Sequence, residues 1–351
     1  MDKTEFDLIK SYFAPLTSDY PEAYDLTNDA ALISESPDRS TVVTMDTLVE
    51  GIHFFSTDPA EDIARKSLRV NLSDLAAMGA KPNGYTLSIS YNTSVSSEWV
   101  KAFTKGLAAD QKIFGCHLIG GDTVSTPGPL TIALTCFGSV PRGKCLHRTT
   151  AEEGDDIWVS GTIGDSAAGL KLLNKEIKID NPDIESFLVN RYRVPQPRTS
   201  LGIALLERGI SQTALDVSDG LLADINHIAK GSNLQARIFS SDIPLSNAFQ
   251  DIFQGTPDHG IQLAATGGDD YEILFTAKSK NEYQIIELSK ELNIQNTASN
   301  IVSKFLKNNN TDSKKEKSEV NISKANKVKE KANAAQVPDV RCVEFTRTAK
   351  L

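Results

Sequence analysis

Cysteine is scarce in this chain: Cys116, Cys136, Cys145 and Cys342 are the only four in 351 residues, and no two form a C-x-x-C pair. Neither a zinc site nor a disulfide framework is indicated. Long apolar runs are missing too. Nothing approaches the roughly 20 residues that span a bilayer, and the N-terminal MDKTEFDLIK has no signal-peptide apolar region. No membrane partner and a reduced, cytoplasmic setting are therefore expected. Positive charge is in deficit, with 37 Lys and Arg against 46 Asp and Glu and a net charge of −9. That argues against nucleic acid as a partner, because phosphate neutralisation needs clustered Lys and Arg. The P-loop G-x-x-x-x-G-K-[ST] and the kinase H-R-D and D-F-G signatures are absent as well.

What is present is 40% apolar and 24% charged, the balance of a soluble globular chain long enough for two cores. Strand-like and helix-like runs alternate, which predicts an α/β or α+β architecture. TVVTM (41–45), GYTLSIS (84–90) and PLTIALTCFGSV (129–140) read as strands. Asp58-Pro59-Ala60-Glu61 reads as a helix start with Asp58 as cap, and Gly79 as its stop. Further helices are expected over 96–113, near 165–174, over 198–208 and over 219–230. The turn-rich stretch 141–156 is the best candidate boundary, giving units of 1–148 and 149–302. YEILFTA (271–277) reads as the last strand. Residues 303–336 hold nine Lys, four acidic residues and one aromatic, too few apolar groups to offset ordering entropy. The segment 303–351 is expected to be a flexible tail or a marginal surface helix.

Carboxylates recur where apolar runs end. NDAALI presents Asp29, VVTMDTLVEGIHF presents Asp46 with Thr44 one pleat back and His53 further on, LIGGDT presents Asp122, LDVSDG presents Asp216 and Asp219, and GGDDYEILF presents Asp269 and Asp270. Asp74 sits in an apolar helix on one face with Ser67 and Asn71. Each has a bland reading. A strand-end Asp caps or turns, GGD makes a tight turn, and a His beside two Phe packs in a core. Six or more carboxylates converging without cations, however, repel one another. Hard cations such as Mg²⁺ bridge one or two carboxylates to substrate phosphates, and adjoining glycines let backbone N–H groups approach phosphate oxygens. Metal-assisted phosphoryl transfer is the chemistry that pattern suits.

TMDTLVEGIHF, ARKSLRVNLSDLAAMGAKP, LIGGDT, VSGTIGDSAAGL, LDVSDGLLADINHIA and GGDDYEILF resemble, in order and spacing, the thiamine-monophosphate kinase family. That family lies in the ATP-binding superfamily of aminoimidazole ribonucleotide synthetase and selenophosphate synthetase. The resemblance covers residues from about 5 to 277. It implies a two-domain fold of the aminoimidazole-ribonucleotide-synthetase type, with 1–148 as an ATP- and Mg-binding, dimerising domain and 149–302 as a C-terminal α/β domain. It implies ATP-dependent phosphorylation of thiamine phosphate to thiamine diphosphate by direct in-line transfer, with several Mg²⁺ ions and a homodimer formed through the N-terminal sheets.

The metal ligands it implies fall on Asp29, Thr44, Met45, Asp46, Asp74, Asp122, Asp216 and Asp219. Of these, Asp46, Asp122 and Asp219 would carry catalysis. Contacts to ATP fall on Asp29, Gly121, Asp122, Arg148 and Ser218, and contacts to the substrate on His53 and Asp269. The chain departs from the family pattern in three places. Asn28 replaces a carboxylate of G-D-D-A, Asp269 stands one methylene short of the family's Glu, and no late aromatic segment follows, Phe345 being the only aromatic in the last 40 residues. A superfamily enzyme acting on another small substrate, or a copy that binds Mg·ATP without turnover, would share many of these residues.

Overall fold

A computed structural model describes residues 5–27, 30, 31, 33, 36–294, 301–307 and 343–346. The chain opens with α1 (Glu5–Leu8) and short helical turns to Leu26, then β1 (Arg39–Val49), α2 (Ala60–Ala77), β2 (Lys81–Tyr91), α3 (Ser97–Phe114), β3 (His117–Ser125) and β4 (Thr131–Pro141). The second part runs β5 (Asp156–Val159), α4 (Asp165–Leu173), α5 (Pro182–Arg193), α6 (Thr199–Glu207), β6 (Thr213–Asp216), α7 (Leu221–Gly231) and β7 (Leu234–Phe239). It ends with α8 (Asn247–Phe253), α9 (Pro257–Thr266), β8 (Ile273–Ala277), α10 (Glu282–Glu291), β9 (Ile301–Lys307) and β10 (Val343–Thr346). Among the described residues no helix is long and apolar enough to cross a membrane.

Two sheets result. The first has the order β1-β4-β2-β3, with β2 and β3 parallel across the α3 crossover and the other pairs antiparallel. Strand β4 alternates strictly, and β1 does so over most of its length. Ile132, Leu134 and Cys136 of β4, with Leu87 and Ile89 of β2, are buried against α2 and α3. The opposite face leaves Val43 58% and Met45 61% exposed. The second sheet has the order β10-β7-β9-β5-β8-β6. Two expectations are corrected here. Strands do not end at 277, because β9 lies between β7 and β5 and β10 runs parallel to the edge of β7. Lysine content averaged over a long window hides the short run IVSKFLK, four of whose seven residues are apolar, and which meets hydrogen-bonding edges on both sides. The remainder of the lysine-rich segment lies outside the described residues.

Helix α2 is buried nearly all round, and it is shared. Leu68, Leu72 and Leu75 belong to the core under the first sheet, whereas Ala76 and Ala77 pack with Trp158, Leu201, Leu205 and Phe275 of the second part. Gly79, at φ +69°, takes the left-handed turn that stops it. Its start differs from expectation: Pro59 occupies the cap position with no side-chain cap. Asp58 accepts instead from the Phe55 N–H at 2.8 Å and from Arg193 Nε at 2.7 Å. A guanidinium outcompetes a helix end for that carboxylate because the resulting bond is charge-assisted on both sides.

Candidate active site

Inward-facing residues of β1 alternate with the exposed ones, so Thr44 and Asp46 point toward α2 while Met45 points out. The Thr44 hydroxyl donates to Asp74 Oδ2 at 2.6 Å. One residue earlier on α2, Ser73 donates to Asp216 Oδ2 at 2.8 Å, and Asp216 is 2% exposed at the end of β6. Three of the expected ligands therefore meet where the shared helix faces both sheets. Burial first, and the Asp74 charge second, push Asp46 up to about 6 and Asp216 up to about 7. Burial also raises Asp74, and the nearby Arg148 charge offsets part of this for Asp74 and Asp216.

Beyond β6 the chain passes Ser218 and Asp219 and enters α7. Asp219 does not cap that helix. Asp224 does, accepting from the Asp219 and Gly220 N–H groups at 3.2 and 3.1 Å, and burial with the charges of Asp219 and Asp216 raises it to about 7. Asp219 is left exposed, and with Asp224 and His227 it brings three ligating atoms within 4.8 Å of one another. The sequence reading missed Asp224 and His227, although they follow Asp219 at i+5 and i+8 along the same helix.

Backbone hydrogen bonds extend the β6–β8 pairing into both loops: Tyr271 N to Val217 O at 2.8 Å, and Asp269 N to Ser218 O at 2.9 Å. A Cβ on Gly268 would lie 2.3 Å from the Ser218 carbonyl oxygen, so only glycine permits this approach. The carboxylate cluster is thereby tied to the Gly267-Gly268-Asp269 loop. That loop lines a cleft of about 350 Å³ with Tyr192, Ser166, Ala167 and Lys171. Asp269 sits at φ +67°, where Asp is several-fold better tolerated than most residues. Its neighbours Asp270 and Glu272 are structural. Asp270 accepts from the Gly164 N–H at 2.8 Å at the start of α4, and buried Glu272 is held by Arg191 and Arg198.

His53 is not a packed core residue. It is exposed, with Nδ1 accepting from the Val49 N–H at 3.0 Å. Its carbonyl receives Lys66 Nζ at 3.0 Å and the Tyr192 hydroxyl at 3.2 Å. Lys66 Nζ also lies 3.4 Å from Asp269 Oδ2 and 3.6 Å over the Tyr192 ring. Neither Lys66 nor Tyr192 was singled out from the sequence. The sequence offered little signal, because Lys66 stands between Arg65 and Arg69 in a helix of mixed charge.

Asp122 and Gly121 lie elsewhere. Both are within β3, and Asp122 is exposed and aligned with Ser88. Asp46 aligns with Leu134 on β4, so three strand spacings, roughly 14 Å, separate the two carboxylates across the sheet. They also point to opposite faces. Asp29 and Asn28 lie outside the described residues.

An all-oxygen set in which burial opposes ionisation fits a hard divalent cation, whose charge would offset that penalty. Several known proteins are similar to this chain. The family model for AIR synthase related protein, N-terminal domain, matches residues 27–140. A thiamine-monophosphate kinase of Caulobacter vibrioides is 42% identical over 273 residues, 77% of this chain and 76% of its own. The crystal structure of thiamine-monophosphate kinase from Stenotrophomonas maltophilia superposes with a TM-score of 0.74 at 39% identity, covering 80% of this chain and 87% of that one. AaThiL complexed with AMPPCP and TMP gives a TM-score of 0.65 at 28% identity, covering 80% and 89%. Identity at the level of the first two, across more than three quarters of the chain, settles its descent: it belongs to the thiamine-monophosphate kinase family.

Proposed function

We propose that this protein transfers the terminal phosphoryl group of ATP to thiamine phosphate, giving thiamine diphosphate. The observation that carries the reading is the bond from Asp269 N to Ser218 O, which joins a carboxylate cluster suited to metal-bound phosphates to a cleft of about 350 Å³. AaThiL binds an ATP analogue and TMP together, the pair of ligands this arrangement would serve. Asp46, Asp74 and Asp216 would hold Mg²⁺, with Asp219, Thr44, the Met45 carbonyl and Asp29 as further oxygen donors. When bound, Mg²⁺ neutralises phosphate charge and polarises the phosphoryl oxygens.

The chain's own residues then orient the reactants. Arg148 and Ser218 would meet nucleotide phosphates, and the first turn of α7 would add backbone donors. His53 presents an exposed imidazole toward solvent beside the loop that carries Asp269. Ser73 is buried with its hydroxyl given to Asp216, and burial raises the Cys145 thiol beside His147. Neither is presented as a nucleophile, which favours direct transfer governed by positioning. Asp122, about three strand spacings from Asp46 in its own chain, would serve the site of a second copy. A homodimer through the outer face of the first sheet is part of the proposal, supported by exposed Val43 and Met45.

Incubation with ATP, Mg²⁺ and thiamine phosphate tests the reading. Thiamine diphosphate should form, and γ-labelled ATP without acceptor should leave the protein unlabelled. Nucleotide binding without product would identify a copy that no longer turns over. Product from a different acceptor alone would identify another superfamily enzyme.

A further inference from the structure

Lys66 stands midway along α2 with 4% of its side chain exposed, an uncommon burial for an ammonium group. Its contacts come from three separate parts of the chain: the His53 carbonyl at 3.0 Å, Asp269 Oδ2 at 3.4 Å and the Tyr192 ring at 3.6 Å. Tyr192 closes the set by donating to the same His53 carbonyl at 3.2 Å. Asp269 and Tyr192 line the cleft and Lys66 does not, so the ammonium works from behind the wall. Asp269 has 36% of its side chain exposed and a short stem, so its direction depends on what holds its second oxygen. His53 reaches its own place on a loop of exposed residues, Gly51 to His53, anchored by its backbone.

We propose that Lys66 is a positioning residue that fastens the His53 loop and the Asp269 loop to the rigid shared helix, setting the acceptor end of the site without touching the acceptor. The inference rests on the phosphotransfer reading above. It differs from a general structural role in being selective. The nucleotide end, built on Asp46, Asp74 and Asp216, makes no contact with Lys66 and should not notice its loss.

Steady-state kinetics with each substrate varied against saturating partner provide the test, using full-length Lys66→Met, Asp269→Asn, the double variant and Lys66→Arg. Lys66→Met should raise KM for thiamine phosphate about tenfold, the scale of one lost charge-assisted contact, with KM for ATP within about twofold. In the double variant the loss should be no more than about twofold beyond the worse single variant, because both remove one arrangement. Lys66→Arg should recover much of the wild-type KM. Should Lys66→Met fail to fold, Lys66→Gln, which still donates to the His53 carbonyl, takes its place with the same expectation. Multiplying losses in the double variant, or equal shifts in both KM values, would overturn the inference. A wild-type protein that makes no thiamine diphosphate would instead overturn the functional reading itself.

Discussion

At the scale of single residues the acidic cluster behaves as a unit because its members share one buried space. Replacing Asp46 by Asn keeps the shape and removes the charge that would hold a cation. Turnover should fall roughly a hundredfold or more, the usual effect of deleting one electrostatic contact to a transition state. Circular dichroism should be unchanged, and undiminished turnover would remove Asp46 from the site. The raised carboxyl groups also set a pH dependence. Both Asp46 and Asp216, ordinarily near 3.8, titrate at about 6 and about 7 in the folded protein. Below pH 4 they are protonated whether the chain is folded or not. Between there and pH 7 the folded protein keeps protons that the unfolded chain has released, so this contribution to stability is lost as pH rises through the window. A divalent cation binds the deprotonated form. Thermal melts should therefore show a larger Mg²⁺-induced rise at pH 8 than at pH 5.5, and equal rises would contradict the placement. Asp46, Asp74 and Asp216 were legible in the sequence because each stands next to an apolar run. Lys66 and Asp224 were not, because their importance comes from partners as far as 203 residues away or from backbone N–H groups of the turn before α7.

At the scale of elements, periodicity found β1, β2, β4 and the helices α2, α3, α4, α6 and α7 within a few residues, since each carries its own apolar pattern, and it passed over α5 and α8 to α10. It failed at β9 and β10, whose pairing is decided by neighbours far off in sequence, and at the Asp58 cap, which Arg193 claims. The position of β9 has a direct consequence for truncation. Ending the chain after residue 300 should remove the strand that joins β7 to β5, leaving two open edges inside one sheet. Such a protein should be largely insoluble or lack a cooperative melt. Ending it after Lys307 keeps that strand and gives up only the edge strand β10, so a cooperative transition should survive with a lowered Tm. Indistinguishable melts for the two truncations would refute the central place of β9.

At the scale of the whole molecule the proposed homodimer would form through the outer face of the first sheet. Val43 and Val124, 58% and 47% exposed, share that face with Asp122. Charged residues on a strand face discourage pairing between copies. If the proposed dimer forms through this face, light scattering should report a dimer for the unaltered protein and a monomer for Val43→Lys, and turnover should fall in the variant because Asp122 would lose the copy it is proposed to serve. A dimer that persists in this variant would place the interface elsewhere.

The sharing of α2 has a consequence for how the chain comes into being. Ala76 and Ala77 turn away from the first sheet toward Trp158, Leu201 and Phe275, residues that leave the ribosome well after the helix itself. Until they arrive, one flank of the helix has only water or a chaperone to cover it. The first half of this protein thus carries Asp46 and Asp74 before the second half exists, and Asp216 meets Ser73 and the Asp74 charge only when the second half packs on α2. The two halves of the site are completed by a single late event, which leaves no interval in which one end could work without the other.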